Sequence, residues 1–95
     1  MLHKYLKDHI VDEIDGAMDY MEKAIEYKNS PMGGKFYKMA EMELEHANCM
    51  TKMFNNLDKS EDITGEDYSK MYKDILDVYS TSMGKIEAMK KLYYS

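Results

Sequence analysis

Apolar residues recur every three or four positions along almost the whole chain, the pattern of helices that each bury one face. The first run extends from Leu2 to about Lys28 and carries Leu2, Leu6, Ile10, Ala17, Met21 and Ala24. It stops at Asn29-Ser30-Pro31-Met32-Gly33-Gly34, a cluster of turn formers. Ser30 followed by Pro31 reads as an N-cap with proline at the first helical position, while the two glycines allow an equally good start near Lys35. The second run, from about Lys35 to Leu57, carries Phe36, Met39, Ala40, Ala47, Met50, Phe54 and Leu57. A polar stretch from Asp58 to Gly65 breaks the pattern. Thr64 is then a good N-cap, with Glu66 and Asp67 where a helix dipole favours negative charge. The third run, from Glu66 to about Tyr93, holds a stripe of Tyr68, Ile75, Val78, Tyr79, Ile86 and Tyr93. Gly84 falls opposite Ile75 on the outer face, where it costs about 1 kcal/mol. No segment alternates with the period of two that a strand requires. The expectation is one all-α domain over residues 1–95, built of three long antiparallel helices of roughly 24–28 residues each.

Charge placement changes this picture. Turned through 100° per residue, Glu13 stands in the middle of the arc of Leu2, Leu6, Ile10, Ala17, Tyr20 and Ala24, whereas Asp8, Asp12, Asp15, Asp19, Glu22 and Glu26 lie off it. The second helix repeats the pattern. Glu43 stands among Phe36, Met39, Ala47, Met50, Phe54 and Leu57, with His46 one turn on and on the same face. The third stripe has no Asp, Glu or His. Unpaired carboxylates on buried faces are costly by several kcal/mol. Two of them with a histidine, on facing helices, call for a compensating cation. Carboxylate oxygen with imidazole nitrogen suits iron, manganese or zinc, and the i, i+3 spacing of Glu43 and His46 lets both reach one ion.

Composition narrows the classes further. A chain of 95 residues has a thin core, so help from a metal or a second subunit is expected. The net charge is −5 and all 13 basic residues are lysine, which argues against nucleic-acid binding and against an arginine clamp for phosphate. Apolar runs are two or three residues long, so no membrane-spanning segment is expected. A single cysteine excludes an internal disulfide and fits a reducing, cytoplasmic compartment.

Glu13 on one helix and Glu43-Leu44-Glu45-His46 on the next resemble the ferritin-like superfamily. In its di-iron bundles two helices each give a Glu and two each give a Glu-x-x-His. This chain has half of that set, and over residues about 2–57 it looks most like the short encapsulated ferritins, which build the centre between two subunits. The resemblance implies a homodimer, or a higher even-numbered oligomer, whose four-helix bundle holds two iron ions between two copies each of Glu13, Glu43 and His46. It implies oxidation of Fe(II), and an enclosing protein shell as a partner. The third helix is longer than that group would have, and Lys90-Lys91-Leu92-Tyr93-Tyr94-Ser95 shows no shell-targeting peptide.

Other residues carry weaker signals. His9, one turn before Glu13, is an entry-site candidate, and His3 lies near the terminus. Tyr20 shares the Glu13 face and is read as core packing. Cys49 lies off the stripe as a flank residue. Asp58 to Asp67 lacks the glycine geometry of a calcium loop. Two further function classes stand beside the iron oxidase: a helical interaction module in which Glu43 and His46 fix register, and a redox-inactive bundle stapled by zinc or manganese.

Overall fold

The computed structural model describes residues 2–57 and 63–95; the expectations for Asp58 to Asp62 lie outside the described residues. Three helices follow in order: α1 (Leu2–Glu26), α2 (Pro31–Asn56) and α3 (Gly65–Tyr94). No strand occurs among the described residues. No helix there is long and apolar enough to cross a membrane.

The α1–α2 turn resolves the two possible starts for α2. The helix begins at Pro31, and Ser30 caps it, its side chain accepting a hydrogen bond from the Met32 amide at 3.2 Å. The glycines do not delay the start. Gly33 is buried against the turn it follows, where a Cβ would meet the Tyr27 carbonyl oxygen and would lie 2.8 Å from the Lys28 Cα. Only glycine allows the second helix to leave the first so closely. Thr64 caps α3 as expected, accepting from the Asp67 amide at 3.1 Å. Lys28, in the α1–α2 turn, donates to the Leu92 and Ser95 carbonyls, so a cation meets the negative end of the α3 dipole.

α1 is the central element, packed closely against both α2 and α3. α2 and α3 meet through large side chains: Phe54 stacks on Tyr68 at 5.1 Å, Tyr37 packs on Tyr93, and the Tyr79 hydroxyl donates to Asn48 Oδ1 at 2.9 Å. The core is Leu6, Ile10, Ile14, Ala17 and Met21 from α1, Ala40, Leu44, Ala47 and Phe54 from α2, and Ile75 and Ile86 from α3.

Two expectations are corrected by this packing. The buried arcs of α1 and α2 are centred about 60° away from Glu13 and Glu43, so the carboxylates stand on the edge of the core and not in its middle. Ile14 and Leu44, rather than Leu2 and Met39, are inside. His3 is the second. It is fully buried, edge-on to Phe54 at 5.3 Å and to Tyr68 at 5.7 Å, and closes that end of the bundle. Its spacing of three before Leu6 and seven before Ile10 is the signal that places it on the buried arc.

Candidate metal centre

The α1–α2 seam brings Glu13, Glu43 and His46 together. One ligand atom from each lies within 4.8 Å of the others. Antiparallel pairing does this: Glu13 sits midway along α1, and the Glu-x-x-His turn sits midway along α2, so the two midpoints meet. Glu13 and Glu43 are half-buried, while His46 is exposed at the rim (57%) with Nδ1 3.5 Å from Glu13 Oε2. The expected inward position of His46 is therefore corrected. At one turn past Glu43 it lies on the far side of the carboxylate from the core, and only its reach back along the seam joins it to the set.

The electrostatics are those of a cluster short of positive charge. Burial pushes the Glu43 carboxyl above the ordinary carboxylate range; hydrogen bonding with Glu13 and the Glu13 charge push the same way, and His46 opposes them. Glu13 Oε2 is buried and accepts no hydrogen bond. At 3.5 Å the His46 contact is too long to supply one. A buried carboxylate oxygen without a donor, beside a second carboxylate, is what a bound cation would satisfy. Three ligands on carboxylate and imidazole atoms also leave coordination positions open on any such ion.

Gly16 belongs to the site and was not among the residues expected from the sequence. A Cβ at Gly16 would lie 2.9 Å from Glu43 Oε2. Its missing side chain makes the space in which the Glu43 carboxylate lies. The available signal was a glycine in a helix interior, one turn from Glu13, where glycine is otherwise unfavourable.

The remaining candidates are placed as follows. His9 packs at a tilt on Tyr5 at 4.3 Å within α1, and Tyr20 stacks on Phe36 at 6.4 Å across the α1–α2 seam. Cys49 is an exposed free thiol. α3 contributes no ligand to the cluster among the described residues.

An all-helical chain with a Glu on one helix and a Glu-x-x-His on its antiparallel neighbour defines a ferritin-like carboxylate bundle. The family model of rubrerythrin matches residues 4–94, and the chain belongs to the rubrerythrin family. That match extends the resemblance, carried by α1 and α2, across α3. Rubrerythrin-type domains bind iron. Comparison with curated proteins finds no match, and comparison with solved structures finds none.

Proposed function

We propose that this protein oxidises Fe(II) at a dinuclear centre shared between two copies of the chain, each supplying Glu13, Glu43 and His46. The observation that carries this reading is the half-set itself. One Glu and one Glu-x-x-His converge on the α1–α2 seam, α3 adds no ligand among the described residues, and a ferritin-like centre uses twice that number. Two copies give four carboxylates, enough to neutralise two divalent ions. Iron, when bound, supplies the redox chemistry with dioxygen or peroxide as the oxidant. The residues hold and orient it. Glu13 offers a buried oxygen that lacks a donor, and Glu43 offers a carboxylate whose charge is disfavoured by burial and by Glu13, a cost that a bound cation offsets. His46 closes the set from the rim, where its exposure leaves it free to turn towards an incoming ion.

The test is anaerobic Fe(II) loading with metal quantitation per chain, on wild type and Glu43→Ala, followed by oxygen consumption. About one iron per chain in the wild type, lost in the variant, is expected from a shared centre with two ions per pair. A folded wild type that takes up no iron overturns the reading. Uptake of zinc or manganese without oxygen consumption replaces it with a structural staple.

A further inference from the structure

The exposed methionines among the described residues, Met32, Met39, Met42 and Met53, all lie on α2. Turned through 100° per residue, they mark an arc of about 100° on the side of Glu43 away from the core. Between Phe36 and Asn56 the positions on that arc are Met39, Met42, His46, Cys49, Met50 and Met53, and no carboxylate, lysine, leucine or isoleucine interrupts them. Every one of them offers sulfur or imidazole nitrogen. Apolar contact scarcely distinguishes Met from Leu or Ile, and Leu and Ile fill the core of this chain. What sets the arc apart from the core is a soft donor atom on each side chain.

We infer that this arc holds a second metal site, which takes a soft monovalent cation, Cu(I), on Cys49, His46 and Met53. Thiolate and thioether ligands select Cu(I), whereas carboxylates suit harder ions. Cys49 is the central ligand. His46 lies three residues before it and Met53 four after, so each is its neighbour across one helical turn. Helical side chains lean towards the N-terminus, which carries the Met53 thioether back over Cys49 and the Cys49 sulfur back over the turn of His46. Cys49 is an exposed free thiol, Met53 is 51% accessible and His46 57%, so an ion reaches all three from solvent. On binding, the thiol gives its proton to water as the sulfur–copper bond forms, and copper remains Cu(I). His46 belongs to both donor sets. Its Nδ1 faces Glu13 Oε2 at 3.5 Å, while Cys49 stands one turn on along the rim. An imidazole turned towards the sulfur is lost to the carboxylates, so copper and iron each weaken the binding of the other by the same factor. The copper site lies within one helix, and its occupancy depends neither on iron oxidation nor on a second copy of the chain.

The experiment is an anaerobic Cu(I) titration of the full metal-free chain against a chromophoric Cu(I) chelator, for wild type, Cys49→Ser, Met53→Leu and Met32→Leu. Helical circular dichroism confirms that each variant is folded. The wild type is expected to bind about one Cu(I) per chain, with a thiolate-to-copper absorption band in the ultraviolet. Cys49→Ser is expected to lose the band and to bind at least ~100-fold more weakly, and Met53→Leu to keep the band and bind about tenfold more weakly. Met32→Leu changes an exposed methionine of the same helix that lies about 25 Å from Cys49 along the axis, and it is expected to match the wild type. A wild type that takes up no Cu(I) overturns the inference. So does unchanged affinity in Met53→Leu, which leaves a bare thiol, and so does an equal loss in Met32→Leu, which means unspecific thioether binding. One Cu(I) shared by two chains, with a doubled mass, overturns it in favour of a thiol pair between chains. Fe(II) titration of copper-free and Cu(I)-loaded wild type then reads the competition, and Fe(II) affinity is expected to fall about tenfold when copper is bound. Unchanged Fe(II) affinity overturns the assignment of His46 to copper. A chain that binds Cu(I) as expected and takes up no Fe(II) removes the iron reading and supports this site alone.

Discussion

α3 and the α1–α2 seam use the same helical periodicity for opposite ends. The α3 stripe puts Ile75 and Ile86 into the core with part-buried tyrosines around them, and its charges face water. The seam instead keeps Glu13 and Glu43 half-buried, leaves one carboxylate oxygen without a donor, and spends a helix-interior glycine to make room. α3 is arranged for stability alone. The seam accepts an electrostatic cost that packing does not require, and a cost of that kind marks the part of the molecule that binds something.

The largest effect that sharpens this contrast is on the α3 side. Ile86→Ala removes a fully buried side chain and is expected to cost about 3 kcal/mol. That is a large share of the stability of a domain this small, and it shows in chemical denaturation. Iron stoichiometry per folded chain, measured at a temperature where the variant is folded, is expected to be unchanged. Loss of iron binding in folded Ile86→Ala would mean that the two regions are not separable.

Glu43→Gln is the mirror experiment. Iron affinity is expected to fall by more than the roughly 100-fold that losing an outer hydrogen-bond partner of a ligand costs. The metal-free protein is expected to become more stable at pH 7, by about 0.5–1 kcal/mol, the ordinary scale of a favourable single substitution. The sign follows from the raised pKa. The folded state holds the Glu43 proton more tightly than the unfolded state, so this group stabilises the fold at low pH. That contribution is lost as pH rises from the usual carboxylate value through the folded one. A Gln, which cannot ionise, lacks this loss, so the stability of the variant is flatter with pH above 4.5. Lower apo stability of Glu43→Gln at pH 7 would contradict the picture of a strained seam.

Much of this was legible in the residues. Three helices, their order, the Thr64 cap and the charge-free α3 stripe follow from spacing and capping chemistry. Glu13, Glu43 and His46 were visible because each departs from the pattern around it. Their depth was not. A helical wheel fixes relative direction along one helix, but the direction of the core depends on how three helices share it. With α1 in the centre, its buried arc turned towards α3 and left Glu13 on the edge. His3 was missed although its spacing places it on the buried arc, because a polar residue near a terminus reads as exposed until the aromatic partners from two other helices that bury it are in place. Gly16 was missed because a residue acting through an absent side chain shows its purpose only when its neighbour is in place.

Gly16→Ala tests that neighbour directly. Alanine is the better helix former by about 1 kcal/mol, so the metal-free protein is expected to gain stability. The new Cβ, 2.9 Å from Glu43 Oε2, forces a flexible carboxylate to shift, and iron affinity is expected to drop about tenfold. Equilibrium Fe(II) titration beside thermal denaturation of the same samples reads both signs. Unchanged affinity would show that Glu43 takes another rotamer when it binds.

The smallest effect comes from Asp8, on the outer surface of α1, which makes it a useful contrast to Glu43. Lys4 and Lys7 reach its two oxygens at 2.8 and 2.7 Å. Their hydrogen bonds hold its pKa down to about 2. Two carboxylates in one helical pair are thus displaced in opposite directions, Asp8 by cationic partners in water and Glu43 by burial beside another acid. The signs of their pH dependence are opposite too. Asp8 stabilises the fold above its unfolded value of 3.8, and that contribution is lost as pH falls towards 2. Asp8→Asn is therefore expected to remove a small part of the acid-side loss of stability in low salt. In about 1 M salt, where the Debye length is about 3 Å, wild type and variant are expected to converge. Glu43→Gln, whose shift has burial as its largest cause, is expected to keep most of its difference from wild type in the same salt. Thermal unfolding of the three metal-free proteins across pH 2–6, at low and high salt, separates the solvated carboxylate from the one on the seam; equal salt sensitivity would place both at the surface and remove the electrostatic argument for the site.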